Sequence, residues 1–193
     1  PRTIMFSQDR AIVNPGLGLL VIADGLGGEG AKQSAIASNT LNWFAPRIAE
    51  LNLSAEFVSF QSVLEEWIAN TGVPRLALLG AGPVIEMGEW SAYRDLTDLT
   101  EVELPSDPKA LHRLIEDVKR LGSDDPSLRP RFKQIVDSLA SDVLILACTE
   151  LPLIADIDTE KTLVDVTDLV ADALVVHSIP TTQRLGCNGG LAK

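Results

Sequence analysis

Residues Val143 to Cys148 form an unbroken apolar run that opens directly onto Thr149 and Glu150, and this junction constrains the fold more than any other segment. The run is rich in branched aliphatic side chains, and the helix-period pattern before it ends at Ala140. A short apolar run of this kind, alternating with helical segments, predicts an interior strand of a parallel sheet. The thiol then falls at the carboxyl end of the strand, where open α/β sheets form their ligand crevices. The ordinary alternative for a lone cysteine is a small buried hydrophobe.

Periodicity elsewhere gives the same βα alternation. Strands are expected at Thr3 to Phe6, Ser34 to Ala37, Ala55 to Val58, Arg75 to Leu79, Asp142 to Ala147 and Thr162 to Val164. Leu64, Trp67 and Ile68 share one helical face. So do Leu111, Leu114, Ile115 and Val118, and again Phe132, Ile135, Val136 and Leu139. Asp107 before Pro108 is a helix start, with the carboxylate at the cap and the ring in the first turn. Pro105 to Pro108 reads as a loop, and residues 181–193 lose periodicity as a flexible tail would.

Composition narrows the class of partner. A net charge of −11 argues against nucleic acid and anionic membranes, both of which select a basic face. No apolar run approaches the roughly 18 to 20 residues of a bilayer span, and no charged-then-apolar leader opens the chain. Two cysteines, Cys148 and Cys187, are too few for a disulfide framework; a working thiol suits a reducing cytoplasm.

Two segments carry a family resemblance. Ala147-Cys148-Thr149-Glu150-Leu151-Pro152-Leu153 resembles the second active-site segment of the cofactor-independent aspartate/glutamate racemases. The strand and helix that follow it there are similar to Val164 to Ala173. Gly30-Ala31, then Ser34 to Thr40 with Ser38-Asn39-Thr40 at its end, resembles the first active-site segment, which usually carries cysteine, asparagine and threonine. The resemblance covers roughly residues 30 to 180. It implies an α/β protein of two similar lobes, with parallel sheets flanked by helices and the active-site cleft between them. The first lobe would comprise residues 1–73 and 167–180, the second residues 74–166. Relatives begin with a further strand and glycine-rich loop, so either a first βα unit is missing ahead of Pro1 or residues 1–28 form a divergent lobe.

The implied activity is racemisation of a small acidic amino acid or related carboxylate with no cofactor and no metal, in a protein that relatives would allow to be a homodimer. Such chemistry removes the Cα proton from one face and returns one to the other, so two acid/base groups must flank the substrate. A thiol suits the task once its pKa is tuned. Cys148 takes one position; Ser38 takes the other, where a hydroxyl is a poor base without an activating partner. Three explanations stay open for Ser38: an asymmetric racemase with one cysteine, a single-cysteine decarboxylase whose thiol protonates a carbanion, or a substitution introduced to trap a ligand. A catalytically weakened binding protein is the alternative from outside enzymology. Asn42 stands where many relatives have histidine, and Pro83 and Met87 where they have small hydroxyl residues.

The resemblance also implies substrate-binding residues. Asn39, Thr40 and Thr149 match positions that hold a carboxylate, Arg10 a substrate-pairing arginine, and Lys119 a helix-end lysine near the cleft. Glu150 would orient substrate or thiol. For both cations the plain alternative is a solvated surface charge, and for Glu150 a carboxylate at a helix start.

The amino-terminal region points elsewhere. Leu19 to Gly28, with Asp24-Gly25-Leu26-Gly27-Gly28, resembles the Asp-Gly-x-Gly-Gly segment of metal-dependent serine/threonine phosphatases, and Gln8-Asp9-Arg10 their first acidic motif. There Asp24 would hold a divalent cation, yet the later acidic metal motifs of that family are absent from the sequence. Gly25 to Gly30 also fits Gly-x-Gly-x-x-Gly after a strand, without a ribose-binding acid about 20 residues on. His112 and His177 lie in helical patterns without metal-ligand spacing.

Overall fold

The computed structural model describes residues 10–14, 19–24, 33–50 and 56–178. The strand expected at Thr3 to Phe6, the glycine-rich segment Gly25 to Gly30, Cys187 and the tail 181–193 lie outside the described residues.

Two four-stranded sheets organise the chain. The first comprises β1 (Arg10–Asn14), β2 (Leu19–Asp24), β3 (Gln33–Ile36) and β4 (Glu56–Phe57), in that spatial order. β3 and β4 run parallel, whereas β1–β2 and β2–β3 are antiparallel. Chain length explains the difference: four residues separate β1 from β2 and eight separate β2 from β3, whereas a parallel crossover takes a dozen or more. Between β3 and β4 the chain is long enough to include a 3-10 turn, Leu41–Phe44, and the short helix α1 (Ala45–Ala49).

The second sheet is wholly parallel, in the order β6-β5-β7-β8, with β5 at Arg75–Gly80, β6 at Glu101–Glu103, β7 at Val143–Ala147 and β8 at Thr162–Asp165. Its two central strands are the apolar ones. Leu76 to Leu79 on β5 and Leu144 to Ala147 on β7 are buried, as expected of strands covered on both faces. Each buried leucine contributes about 1.5–3 kcal/mol relative to exposure. β6 is a short charged edge whose Glu101 and Glu103 both pair with Arg75 of β5, at 3.3 and 3.5 Å.

Helices cover this sheet with the faces that periodicity anticipates. α2 (Phe60–Thr71) buries Phe60, Leu64 and Ile68; Ser59 Oγ caps it by accepting from the Ser62 N–H, and Gly72 closes it at φ 64°. A left-handed residue there favours glycine. α3 (Gly82–Ile85) is a single turn with Pro83 near its start. α4 (Pro108–Leu121) starts at Asp107, whose carboxylate accepts from the Ala110 N–H at 2.9 Å, and it buries Leu111, Leu114, Ile115 and Val118. α5 (Leu128–Ser138) buries Leu128, Phe132 and Val136 and packs beside α4. α6 (Val166–Ser178) leaves β8 and packs against α2, β3 and β7, so it links the two sheets. The buried side chains form one contiguous cluster that includes Ala35 on β3, Ala37 just after it and Cys148 beyond β7.

Two polar clips fix the amino end of β7. The Glu103 carboxylate accepts from the Ala140 and Ser141 backbone N–H groups and from Ser141 Oγ–H. Lys161 Nζ donates to the carbonyls of Leu139 and Ser141. Both sit at the end of the sheet opposite Cys148.

Candidate active site

β7 ends at Ala147, and Cys148, Thr149 and Glu150 turn the chain into a 3-10 segment, Leu151–Ile154, anchored by buried Leu151 and Ile154. The neighbouring strand shapes this corner. Gly80, the last residue of β5, pairs with Ala147, and a Cβ built on Gly80 would lie 2.8 Å from both the Ala147 carbonyl oxygen and Val84 Cγ1. Only glycine lets β5 approach the backbone immediately before the thiol.

Cys148 is 6% exposed, and its Sγ donates to Glu150 Oε2 at 2.9 Å. The other carboxylate oxygen of Glu150 lies 3.4 Å from Lys119 Nζ, near the carboxyl end of α4. Thiol, carboxylate and ammonium thus form a chain from the buried strand end to the surface. Burial pushes the Cys148 thiol up to about 12, reinforced by the hydrogen bond to Glu150 and its charge; the N–H groups of Glu150 and Leu151 oppose the rise only in part. At neutral pH the resting group is therefore a protonated thiol with a carboxylate as its acceptor. Burial and an adjacent carboxylate tune it upward, the opposite of the activated thiolates found at electropositive sites.

The segment after β3 is held by its own polar side chains. Asn42, 1% exposed, donates through Nδ2 to the carbonyls of Ile36 and Ser38, both at 2.9 Å, and accepts from the Phe60 N–H at 2.9 Å. It therefore fastens the segment to the first turn of α2, which accounts for an asparagine at this position. Ser38 Oγ accepts from the Leu41 N–H at 3.3 Å and so supports the 3-10 turn. Thr40 is exposed at the start of that turn. Asn39 is buried, and its Oδ1 is bonded to the hydroxyl of Tyr93, a fully buried residue between α3 and β6. Burial, and secondarily the charge of Asp165, pushes the pKa of the Tyr93 hydroxyl far up. Asp165 ends β8 opposite Leu146 of β7, two residues before Cys148, and its Oδ1 accepts from the Thr167 N–H at 2.8 Å. Burial, with the charge of Asp168, raises the Asp165 carboxyl above the ordinary range.

The structure thus gathers Cys148, Glu150 and Lys119 through direct contacts and joins Asn39 to Tyr93 through another, with Asp165 acting on Tyr93 through its charge. Ser38 lies two residues beyond β3 and Cys148 one residue beyond β7, and they have different hydrogen-bond partners. Thr149 is exposed beside the thiol. The Arg10 backbone opens β1 opposite Ala23, and Asp24 closes β2. Pro83 occupies the first turn of α3; Met87 adopts a left-handed φ of 52° and packs against the core. His112 is exposed and lies 3.4 Å from Glu116. Among the described residues no group of three or more His, Cys, Asp and Glu side chains is arranged to hold a metal ion, and no helix is long and apolar enough to cross a membrane.

Sequence reasoning overlooked Tyr93 and Asp165. Both left a trace: Tyr93 is the only tyrosine in the chain, and Asp165 follows the apolar residues of β8 much as Cys148 follows those of β7.

No protein-family model and no curated protein sequence matches the chain. Solved structures do. The aspartate racemase of Picrophilus torridus superimposes with a TM-score of 0.64 at 20% identity, covering 83% of this chain and 69% of that one. An aspartate racemase homologue from Pyrococcus horikoshii gives 0.60 at 24% identity, over 77% and 67% of the two chains. Glutamate racemase from Thermus thermophilus, solved in complex with β-chloro-D-alanine, gives 0.57 at 20% identity, over 86% and 61%. The chain spans 61 to 69% of the length of these three proteins, and the likeness is one of architecture: this chain has the fold of the aspartate/glutamate racemases.

Proposed function

We propose that the chain carries the cleft of a cofactor-independent racemase acting on a small acidic amino acid or a related carboxylate, with Cys148 as its principal acid/base group. In this reading the first sheet with α6 forms one lobe, residues 74–166 the other, and the substrate sits between the carboxyl ends of β3 and β7. The observation that carries the proposal is the Cys148–Glu150–Lys119 chain at the end of β7, with hydrogen-bond and ion-pair distances of 2.9 and 3.4 Å.

Charge balance sets the sequence of events. To act as a base, Cys148 first passes its S–H proton to the Glu150 carboxylate, and the Lys119 ammonium offsets the charge left on sulfur. The thiolate then takes the Cα proton, leaving a carbanion next to the substrate carboxylate. Asn39, Thr40 and Thr149 hold that carboxylate. Return of the proton from Cys148 restores the starting enantiomer; inversion needs a donor on the other face, where Ser38 stands. A serine hydroxyl at neutral pH is a weak donor and a weaker base, so Cα exchange outruns inversion.

The protonated resting thiol favours one second reading. A thiol pushed up to about 12 is a weaker acid than an ordinary one but stays fully protonated at neutral pH, so it holds the proton that a decarboxylase needs for the strongly basic carbanion left when carbon dioxide departs. Incubation with D- and L-aspartate and D- and L-glutamate in deuterium oxide separates the two. The racemase reading expects Cα deuterium to accumulate faster than the opposite enantiomer. Absence of Cα exchange together with carbon dioxide release from a disubstituted malonate would move the assignment to the decarboxylase.

A further inference from the structure

Asn39 is 4% exposed, and its Nδ2 has no hydrogen-bond partner, whereas its Oδ1 is bonded to Tyr93. A buried amide with two N–H donors and no acceptor is costly, so such an arrangement persists where something else benefits from it. The partner residue is firmly built. Tyr93 is fully buried, its backbone N–H donates to Ser91 Oγ at 3.2 Å, and that hydroxyl donates to the Val84 carbonyl at 2.8 Å. Its own hydroxyl, held neutral by burial and by the charge of Asp165, remains a donor across the working pH range. In the structure the Tyr93 hydroxyl is spent on Oδ1 of the facing amide, which turns the Asn39 nitrogen away from Tyr93. The contact also crosses from the segment after β3 to the segment before β6, so it joins the two halves of the fold beside the candidate site.

We infer that Tyr93 is a positioning residue: its hydroxyl fixes the Asn39 amide so that both Nδ2 hydrogens are presented to a carboxylate of the ligand. The inference rests on the racemase reading for the ligand class and adds to it a residue that never touches the substrate. Without the hydroxyl, the amide is free to turn its oxygen toward the incoming anion, and the site loses a donor and gains a repulsive acceptor.

The test uses the full chain with L-aspartate and succinate as probes, binding followed by calorimetry and turnover by Cα deuterium exchange. Tyr93→Phe keeps the ring and its packing. It is expected to weaken binding of both probes roughly tenfold, the scale of one lost hydrogen bond to a charged group, and to raise KM for exchange by a similar factor while kcat stays within about twofold. Asn39→Ala is expected to weaken binding to the same extent, and the double variant no further, because the two residues act as one unit. Wild-type binding retained in Tyr93→Phe, additive losses in the double variant, or no binding of either probe to the wild-type chain would each overturn the inference. Wild-type binding without Cα exchange sinks the racemase reading alone, and the binding comparison then decides the role of Tyr93.

Discussion

The protonated state of Cys148 makes a quantitative prediction about its reactivity. Burial, reinforced by Glu150, raises the thiol from 9.0 to about 12, so at any pH below 9 the thiolate fraction is about a thousandfold lower than for an ordinary cysteine. A more basic thiolate is a better nucleophile, and with a Brønsted slope of roughly 0.4 to 0.5 this returns a factor of about 15 to 30. The net expectation is attack on an aromatic disulfide at neutral pH about 30- to 60-fold slower than by an unperturbed thiol, before any loss from restricted access. The assay is stopped-flow release of thiopyridone from 4,4′-dithiodipyridine in a Cys187→Ser background, where Cys148 is the only thiol. The logarithm of the rate should climb with unit slope from pH 7 past pH 10 without levelling. In Glu150→Gln the carboxylate charge is gone while burial remains, so the inflection should fall below 12 yet stay above 9, and the neutral-pH rate should rise. A wild-type profile that levels near pH 9 or below, or a Glu150→Gln profile that superimposes on it, would refute the electrostatic account of this site.

Asn42→Ala removes three side-chain hydrogen bonds; the Ile36 and Ser38 carbonyls keep backbone donors, whereas the Phe60 N–H loses its acceptor, so stability to urea should fall by about 2–6 kcal/mol, given about 1–3 kcal/mol for the group left unpaired and about 0.5–1.5 for each other bond lost. Gly80→Ala forces a methyl group within 2.8 Å of the Ala147 carbonyl and Val84, so it should cost about 1–3 kcal/mol, with the loss read from the urea midpoint. Ser38→Cys should raise racemisation of aspartate or glutamate without slowing Cα exchange, each tenfold gain corresponding to roughly 1.4 kcal/mol off the barrier; chiral chromatography reads the outcome. Burial pushes the Glu103 carboxyl up, but the N–H groups of Ala140 and Ser141 and the Ser141 hydroxyl outweigh it and bring it below the ordinary value. Its contribution to stability should therefore be complete above the unfolded carboxyl pKa and disappear as pH falls through the lowered folded value. A Glu103→Gln variant should show a smaller stability loss across that acid window in urea titrations.

The parallel sheet was legible because its central strands are buried on both faces, so Leu76 to Leu79 and Val143 to Ala147 announce themselves as apolar runs. The helix starts at Ser59 and Asp107 follow from capping chemistry, though only Asp107-Pro108 has the sequence contrast to stand out. β6 escaped notice because Glu-Val-Glu at a sheet edge looks like surface; its partner, Arg75, lies 26 residues earlier. The antiparallel edge of the first sheet was hidden for another reason. Strand type depends on which segments pair, and Arg10 to Asn14 has no alternation to declare it. At the site, Cys148 and Glu150 were visible as adjacent polar residues after an apolar run. Asn42 drew attention as a missing histidine, whereas its three hydrogen bonds give it a structural task. Tyr93 stayed hidden because its significance comes from Asn39, 54 residues away.

The measurement that bears most directly on the account is deuterium incorporation at Cα of aspartate and glutamate, both enantiomers, by the wild-type chain and by Cys148→Ala in parallel. The account predicts exchange with the wild type, faster for one enantiomer of the preferred substrate than for the other, and none with Cys148→Ala at unchanged thermal stability. Equal exchange by the two proteins, or exchange by neither while the fold is intact and a dicarboxylate binds, would contradict a catalytic role for Cys148.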